Sequence, residues 1–204
     1  MELREALTQI TEIRSQLART EVFRGYRAMP MAFSAAIAVV AGILQATAIP
    51  DPMSAVGSYA ALWAAAAAVS LVAAGVEMAV RSRGSDPTIS RELTRLALGQ
   101  FFPSLAAGAL LTVVMVRSAP EGSWMLPGLW QIVYSLGIFA SCRLLPRPTF
   151  WVAGFYLVSG LTVLSVGRGA WAISPWTMAI PFCTGQFLAA AVLYATLERD
   201  HAAD

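Results

Sequence analysis

Six long apolar runs constrain this chain more than any other feature. They extend from about Met29 to Ile49, Val56 to Val80, Leu96 to Val116, Trp124 to Leu145, Thr149 to Val166 and Ser174 to Leu197. A helix needs roughly 20 apolar residues to cross the hydrocarbon core of a bilayer. In lipid only helices or closed barrels satisfy their own backbone polar groups. The pattern predicts an all-α polytopic membrane protein: a six-helix transmembrane bundle over residues 29–198. An amphipathic cytoplasmic or interfacial helix and elbow (1–28) precedes it, and a cytoplasmic tail (199–204) follows. Composition agrees, because 57% of the residues are hydrophobic and 13% charged, against about 25% charged in soluble domains. So few charges would not coat a water-facing surface.

Arginine sets the predicted orientation. Arg4, Arg14, Arg19, Arg24, Arg27, Arg81, Arg83, Arg91, Arg95, Arg143, Arg147 and Arg199 fall on one side of the spans, and only Arg117 and Arg168 on the other. By the positive-inside rule both termini are cytoplasmic, which for a bacterial-type protein means the inner (plasma) membrane. Trp124, Trp130, Trp171 and Trp176 then lie near the outer face, where amphipathic rings anchor helix depth. Stacking of a sugar or a quinone is the rarer use of such rings.

Several chemistries lack their residues. All fourteen basic side chains are Arg, so no Schiff-base lysine exists, and the single histidine is His201 in the tail. A bis-His haem or a multi-His metal site within the membrane is thereby excluded. Cys142 and Cys183 sit in apolar stretches and read as small buried hydrophobes. No P-loop, HExxH, paired intramembrane Asp or GxSxG with a usable His occurs. The net charge of +2 is too small to argue for nucleic acid, and the Glu-bearing start does not read as a signal peptide. No cofactor or metal is expected.

Residues 2–24 place Leu3, Ala6, Leu7, Ile10, Ile13 and Leu17 on one helical stripe. Gly25 suits the helix end and Pro30 the first turn of the next helix. The stripe can lie on the inner leaflet, with Arg24 and Arg27 at the elbow. It can equally pack against a second copy or a partner, since Leu3, Ile10 and Leu17 repeat every seven residues. Its mixed-charge face, with Glu2, Glu5, Glu12 and Glu21 among the arginines, favours protein contact.

Within the spans the polar set is sparse. Glu77 is the main ionisable group; it could bind a proton or cation, although pairing with Arg81 one turn on is the plainer role. Gln45, Gln100, Gln131 and Gln186 complete the candidate intramembrane polar site, with Tyr134, Tyr156 and Tyr194 as further neutral polar groups. Amides in apolar helices commonly bond across to neighbours. Ser34, Ala38, Gly42 and Ser104, Gly108, Thr112 form small-residue stripes that permit close helix approach. Pro103 should bend the third span and free a carbonyl near Gly99. Gly99-Gln100-Phe101 and Gly185-Gln186-Phe187 are a repeated tripeptide, too short to establish an inverted repeat.

Arg24-Gly25-Tyr26-Arg27, Leu98-Gly99-Gln100-Phe101-Phe102-Pro103 and Leu126-Pro127-Gly128-Leu129-Trp130 together resemble a group of uncharacterised bacterial six-span inner-membrane proteins, over most of the chain. The resemblance implies a helical membrane fold in the inner membrane and carries no catalytic residues. The expected function is non-enzymatic: an accessory, scaffold or regulatory subunit acting through its N-terminal helix. Its expected partners are the bilayer and either further copies or a membrane or cytoplasmic protein. The alternative is a small transporter or channel for a neutral or lipophilic solute, lined by Gln and Tyr, with Glu77 near the inner mouth.

Overall fold

A computed structural model of the chain describes residues 28–82, 87–142 and 145–198. The N-terminal stripe (Leu3, Ile10, Ile13, Leu17), Arg24, Arg27 and the tail lie outside the described residues. The described residues form helices and the turns between them, without strands. Six α-helices follow one another: α1 (Ala28–Ala48), α2 (Val56–Ser82), α3 (Pro87–Ser118), α4 (Leu126–Ser141), α5 (Thr149–Val166) and α6 (Pro175–Leu193). Short 3-10 turns, Pro120–Met125 and Gly169–Trp171, precede α4 and α6, and a π turn, Tyr194–Glu198, ends the described chain.

Helix ends follow local chemistry. Ile49-Pro50-Asp51-Pro52 stops α1, and the Asp51 carboxylate accepts from the Met53 backbone N–H at 3.2 Å to shape the turn into α2. α3 starts at Pro87 and α6 at Pro175, each with proline in the first turn, where its missing N–H costs nothing.

Among the described residues five helices are long and apolar enough to cross a membrane: α1, α2, the Gly99–Ser118 part of α3, α5 and α6 with its flanking turns. The fourth expected span, 124–145, differs. A 3-10 turn ends at Met125, and α4 then runs for 16 residues. At 1.5 Å per residue that is about 24 Å, shorter than the roughly 30 Å hydrocarbon core. Prolines bracket it, with Pro127 in its first turn and Pro146 and Pro148 after its end. α4 is nevertheless central, burying Leu126, Gly128, Gln131, Ser135, Gly137 and Ile138.

The most extensive helix pairings are α1 with α6 and α4 with α5, followed by α3 with α4 and α1 with α2. Small residues set the closest crossings. Ser34, Ala38 and Gly42 are buried on α1, and a Cβ on Gly42 would lie 2.7 Å from that of Ala179 on α6. Gly128 and Gly160 cross reciprocally: a Cβ on either would lie within 2.8 Å of the other's carbonyl oxygen. The outward surface is apolar, with Val72, Leu110, Trp151 and Val158 largely exposed. Such a surface is compatible with a membrane location.

Candidate functional site

The interior polar groups form two small networks. The first lies where α1 ends, α2 begins and the chain enters α6. Gln45 is fully buried on α1. Its Nε2 donates to the Ile173 carbonyl at 2.7 Å, and its Oε1 accepts from Trp63 Nε1 at 2.8 Å. One amide thus ties three segments, and the two bonds fix which way it points, because its oxygen could not face the Ile173 oxygen. Beside it Tyr59 stacks on Trp130, with ring centroids 5.8 Å apart and planes within 5°. Trp130 Nε1 in turn donates to Thr112 Oγ1 on α3 at 2.8 Å. Alanines 38, 41 and 179 with Ile173 and Met178 fill the space around these rings.

The second network joins α4 to α6 and α5. Gln131 is fully buried, and its Nε2 donates to the Thr177 carbonyl at 2.9 Å. That carbonyl is special, because Pro181 lies four residues on inside α6. Proline has no N–H to return to it and pushes against it. Further along, Gln186 Nε2 donates to Tyr134 Oη at 2.7 Å. Tyr134, Tyr156 and Phe182 pack as a ring cluster with centroids 4.9–5.5 Å apart, and Phe101 meets Tyr134 edge-on. Gly185 leaves the room for Tyr156, whose ring a Cβ there would strike. Ser135 Oγ donates to the Ala153 carbonyl at 2.8 Å, binding α4 to α5.

The predicted polar residues therefore do not converge on one point. Gln45, Gln131 and Gln186 are buried, each bonded to another element. Gln100 is half-buried at the Phe101 end of α3, and Glu77 is half-buried on the part of α2 beyond Trp63, which buries no side chain among the described residues. The repeated tripeptides occupy different surroundings: Gly185 is pressed against Tyr156 while Gly99 has open space, and Phe187 is exposed while Phe101 packs inward. Of the four tryptophans read as anchors, Trp171 and Trp176 are exposed, whereas Trp124 and Trp130 are half-buried against the core.

Sequence reasoning passes over Trp63, Tyr59, Thr177 and Pro181. Pro181 carries a readable signal, since an intrahelical proline frees the carbonyl four residues back. Trp63 carries none, because an alanine run follows it and nothing local identifies its partner.

Several buried oxygens have no hydrogen-bond partner: Oε1 of Gln100, Gln131 and Gln186, the Tyr59 hydroxyl, Ser123 Oγ and Thr149 Oγ1. Among the described residues no three His, Cys, Asp or Glu side chains gather to hold a metal. Neutral hydrogen bonding and ring packing are the chemistry that the described interior offers.

No protein-family model, curated protein or solved structure matches the chain. The fold gives the class: the described residues are helical without strands, and five of their helices are long and apolar enough for a multi-pass membrane protein.

Proposed function

We propose that this protein is a non-enzymatic, six-span inner-membrane protein with both termini in the cytoplasm, acting as an accessory, scaffold or regulatory subunit. In this reading α4 completes the six crossings, its short helix shielded by its neighbours. The supporting observation is how the interior amides are used. Gln45, Gln131 and Gln186 each donate to a different element of the same bundle. Polarity that a transport path would expose is spent here on holding helices in register. Partner contact falls to the N-terminal stripe of Leu3, Ile10, Ile13 and Leu17, flanked by a face of mixed Glu and Arg that suits a protein surface.

A second reading, a conduit for a neutral solute, draws support from the unpartnered amide oxygens of Gln100, Gln131 and Gln186. These would accept from a donor-bearing solute. Native mass spectrometry of protein extracted mildly from its own membranes tests both. The accessory reading expects another polypeptide, or a second copy, that is lost when residues 1–24 are deleted. Unchanged association after that deletion refutes it, and a homo-oligomer carrying a small bound mass supports the conduit.

A further inference from the structure

The bond between Gln131 and Thr177 sits at the one place where α6 lacks its own. Pro181 removes the N–H that would have closed the turn onto the Thr177 carbonyl. The Gln131 amide supplies a donor in its stead, from another helix, at 2.9 Å and fully buried. α6 pairs most extensively with α1, Phe182 just beyond Pro181 still packs in the cluster of Ala38 and Ala41, and α6 is bonded to α4 on both sides of Pro181. Before Pro181, Gly42 of α1 lies against Ala179, and Gln45 bonds the Ile173 carbonyl just ahead of the helix. After it, Gln186 reaches Tyr134 on α4, and Gly185 receives the Tyr156 ring of α5. The Thr177 hydroxyl adds a second tie on the near side, donating toward the Ser174 and Ala172 carbonyls at 2.7 and 2.9 Å.

From this geometry we infer that α6 is a latched hinge. The helix can flex between Thr177 and Pro181, and the Gln131 side chain is the latch that bridges the missing bond. Proline kinks in membrane helices are tolerated where a neighbouring group re-satisfies the freed carbonyl. Here that group is a single side chain on the central helix. α4 thereby bonds α6 on both sides of Pro181, at Thr177 and at Gln186. Loss of the latch would loosen α6 between Thr177 and Pro181 and shift the adjoining turn that carries Cys183.

Cys183 is a reporter already in place. It lies two residues beyond Pro181 and is half-buried. The experiment uses the full chain in lipid nanodiscs with Cys142→Ser, and measures the rate at which a thiol reagent modifies Cys183. Four proteins are compared: the parent, Gln131→Leu, Pro181→Ala and the double variant.

If the latch exists, Gln131→Leu raises the labelling rate by roughly tenfold, the equivalent of losing one buried hydrogen bond of about 1.4 kcal/mol. In the Pro181→Ala background the same change raises it less than about threefold, because the substituted alanine returns an N–H to the Thr177 carbonyl. Equal increases in both backgrounds would show that Gln131 acts apart from the proline and would overturn the coupling. No increase in either would overturn the hinge. Should Gln131→Leu fail to fold, Gln131→Met keeps the side-chain length while removing the donor. It is then read in the same two backgrounds against the same criteria.

Discussion

The α4–α5 pair and the α2–α3 pair are made of similar apolar residues, yet they are held very differently. On α5, 33% of the apolar span is buried; of α3's apolar span, Gly99–Ser118, no residue is. α4 and α5 meet backbone to backbone at Gly128 and Gly160 and share the bond from Ser135 to Ala153. α2 buries Tyr59, Ala60 and Trp63 near its start and no described side chain beyond them. The difference teaches what lipid as a solvent allows. Lipid tails are as apolar as leucine, so apolar side chains do not drive helices together there. Close contact needs small residues that meet, or a polar group that crosses. α4 and α5 have both along their lengths, whereas α2 has them only in its first two turns.

Glycine-to-alanine changes test that contrast most severely. A Cβ on Gly128 would lie 2.8 Å from the Gly160 carbonyl oxygen and 2.6 Å from Leu164 Cγ. Backbone cannot step aside as a side chain can, so Gly128→Ala should cost about 3 kcal/mol, the upper range for overpacking. Gly75 on α2 has open space around it, and Gly75→Ala should be neutral or stabilising by up to about 1 kcal/mol through helix propensity. Denaturation of both variants in the same detergent micelles provides the comparison. Equal losses would mean that α2 is packed as tightly as α4.

The next effect sharpens the account of α2. Gln45→Leu removes the acceptor of Trp63 Nε1 and the donor to the Ile173 carbonyl in one change. Two buried polar groups lose their partners, and the expected loss is about 2 kcal/mol, given that intramembrane bonds each contribute around 1. Trp63 fluorescence should shift as its N–H is released, in a background where the other tryptophans are Phe. An unshifted spectrum with full stability would mean that Gln45 is not what holds α2.

These residues also show how far the sequence can be read. Span positions follow from hydropathy because helix length must match bilayer thickness, and α1, α2, α5 and α6 fall close to the expected limits. The fourth helix is shorter than its apolar run, since apolar composition continues through Trp124 and Met125, where the backbone is a 3-10 turn. Reading Gln45, Gln131 and Gln186 as helix-bridging amides requires only that a buried amide needs a partner. Their actual partners are illegible. Ile173 lies 128 positions from Gln45 and offers a backbone carbonyl, a group every residue has. Gly128 stands in a conspicuous Pro-Gly pair, but its reciprocal crossing with Gly160 is a property of two helices and is written on neither.

The smallest effect expected is also the most local. Trp130→Phe keeps a ring to stack on Tyr59 but removes the N–H that Thr112 Oγ1 accepts. The Thr112 hydroxyl still donates to the Gly108 carbonyl at 2.7 Å, so no buried donor is stranded. The cost should stay near 1 kcal/mol or below. Thr112→Val approaches the same bond from the other side: it leaves the Trp130 N–H without an acceptor and should cost more, by about 1 kcal/mol. Both changes should speed amide hydrogen exchange along 108–118 of α3 while leaving α5 untouched, because a helix whose apolar span buries no residue opens at a lower free energy than the core. A uniform rise across α3 and α5 would mean that the two open as one cooperative unit. In that case the exposure of α3 would describe its surface and not its stability.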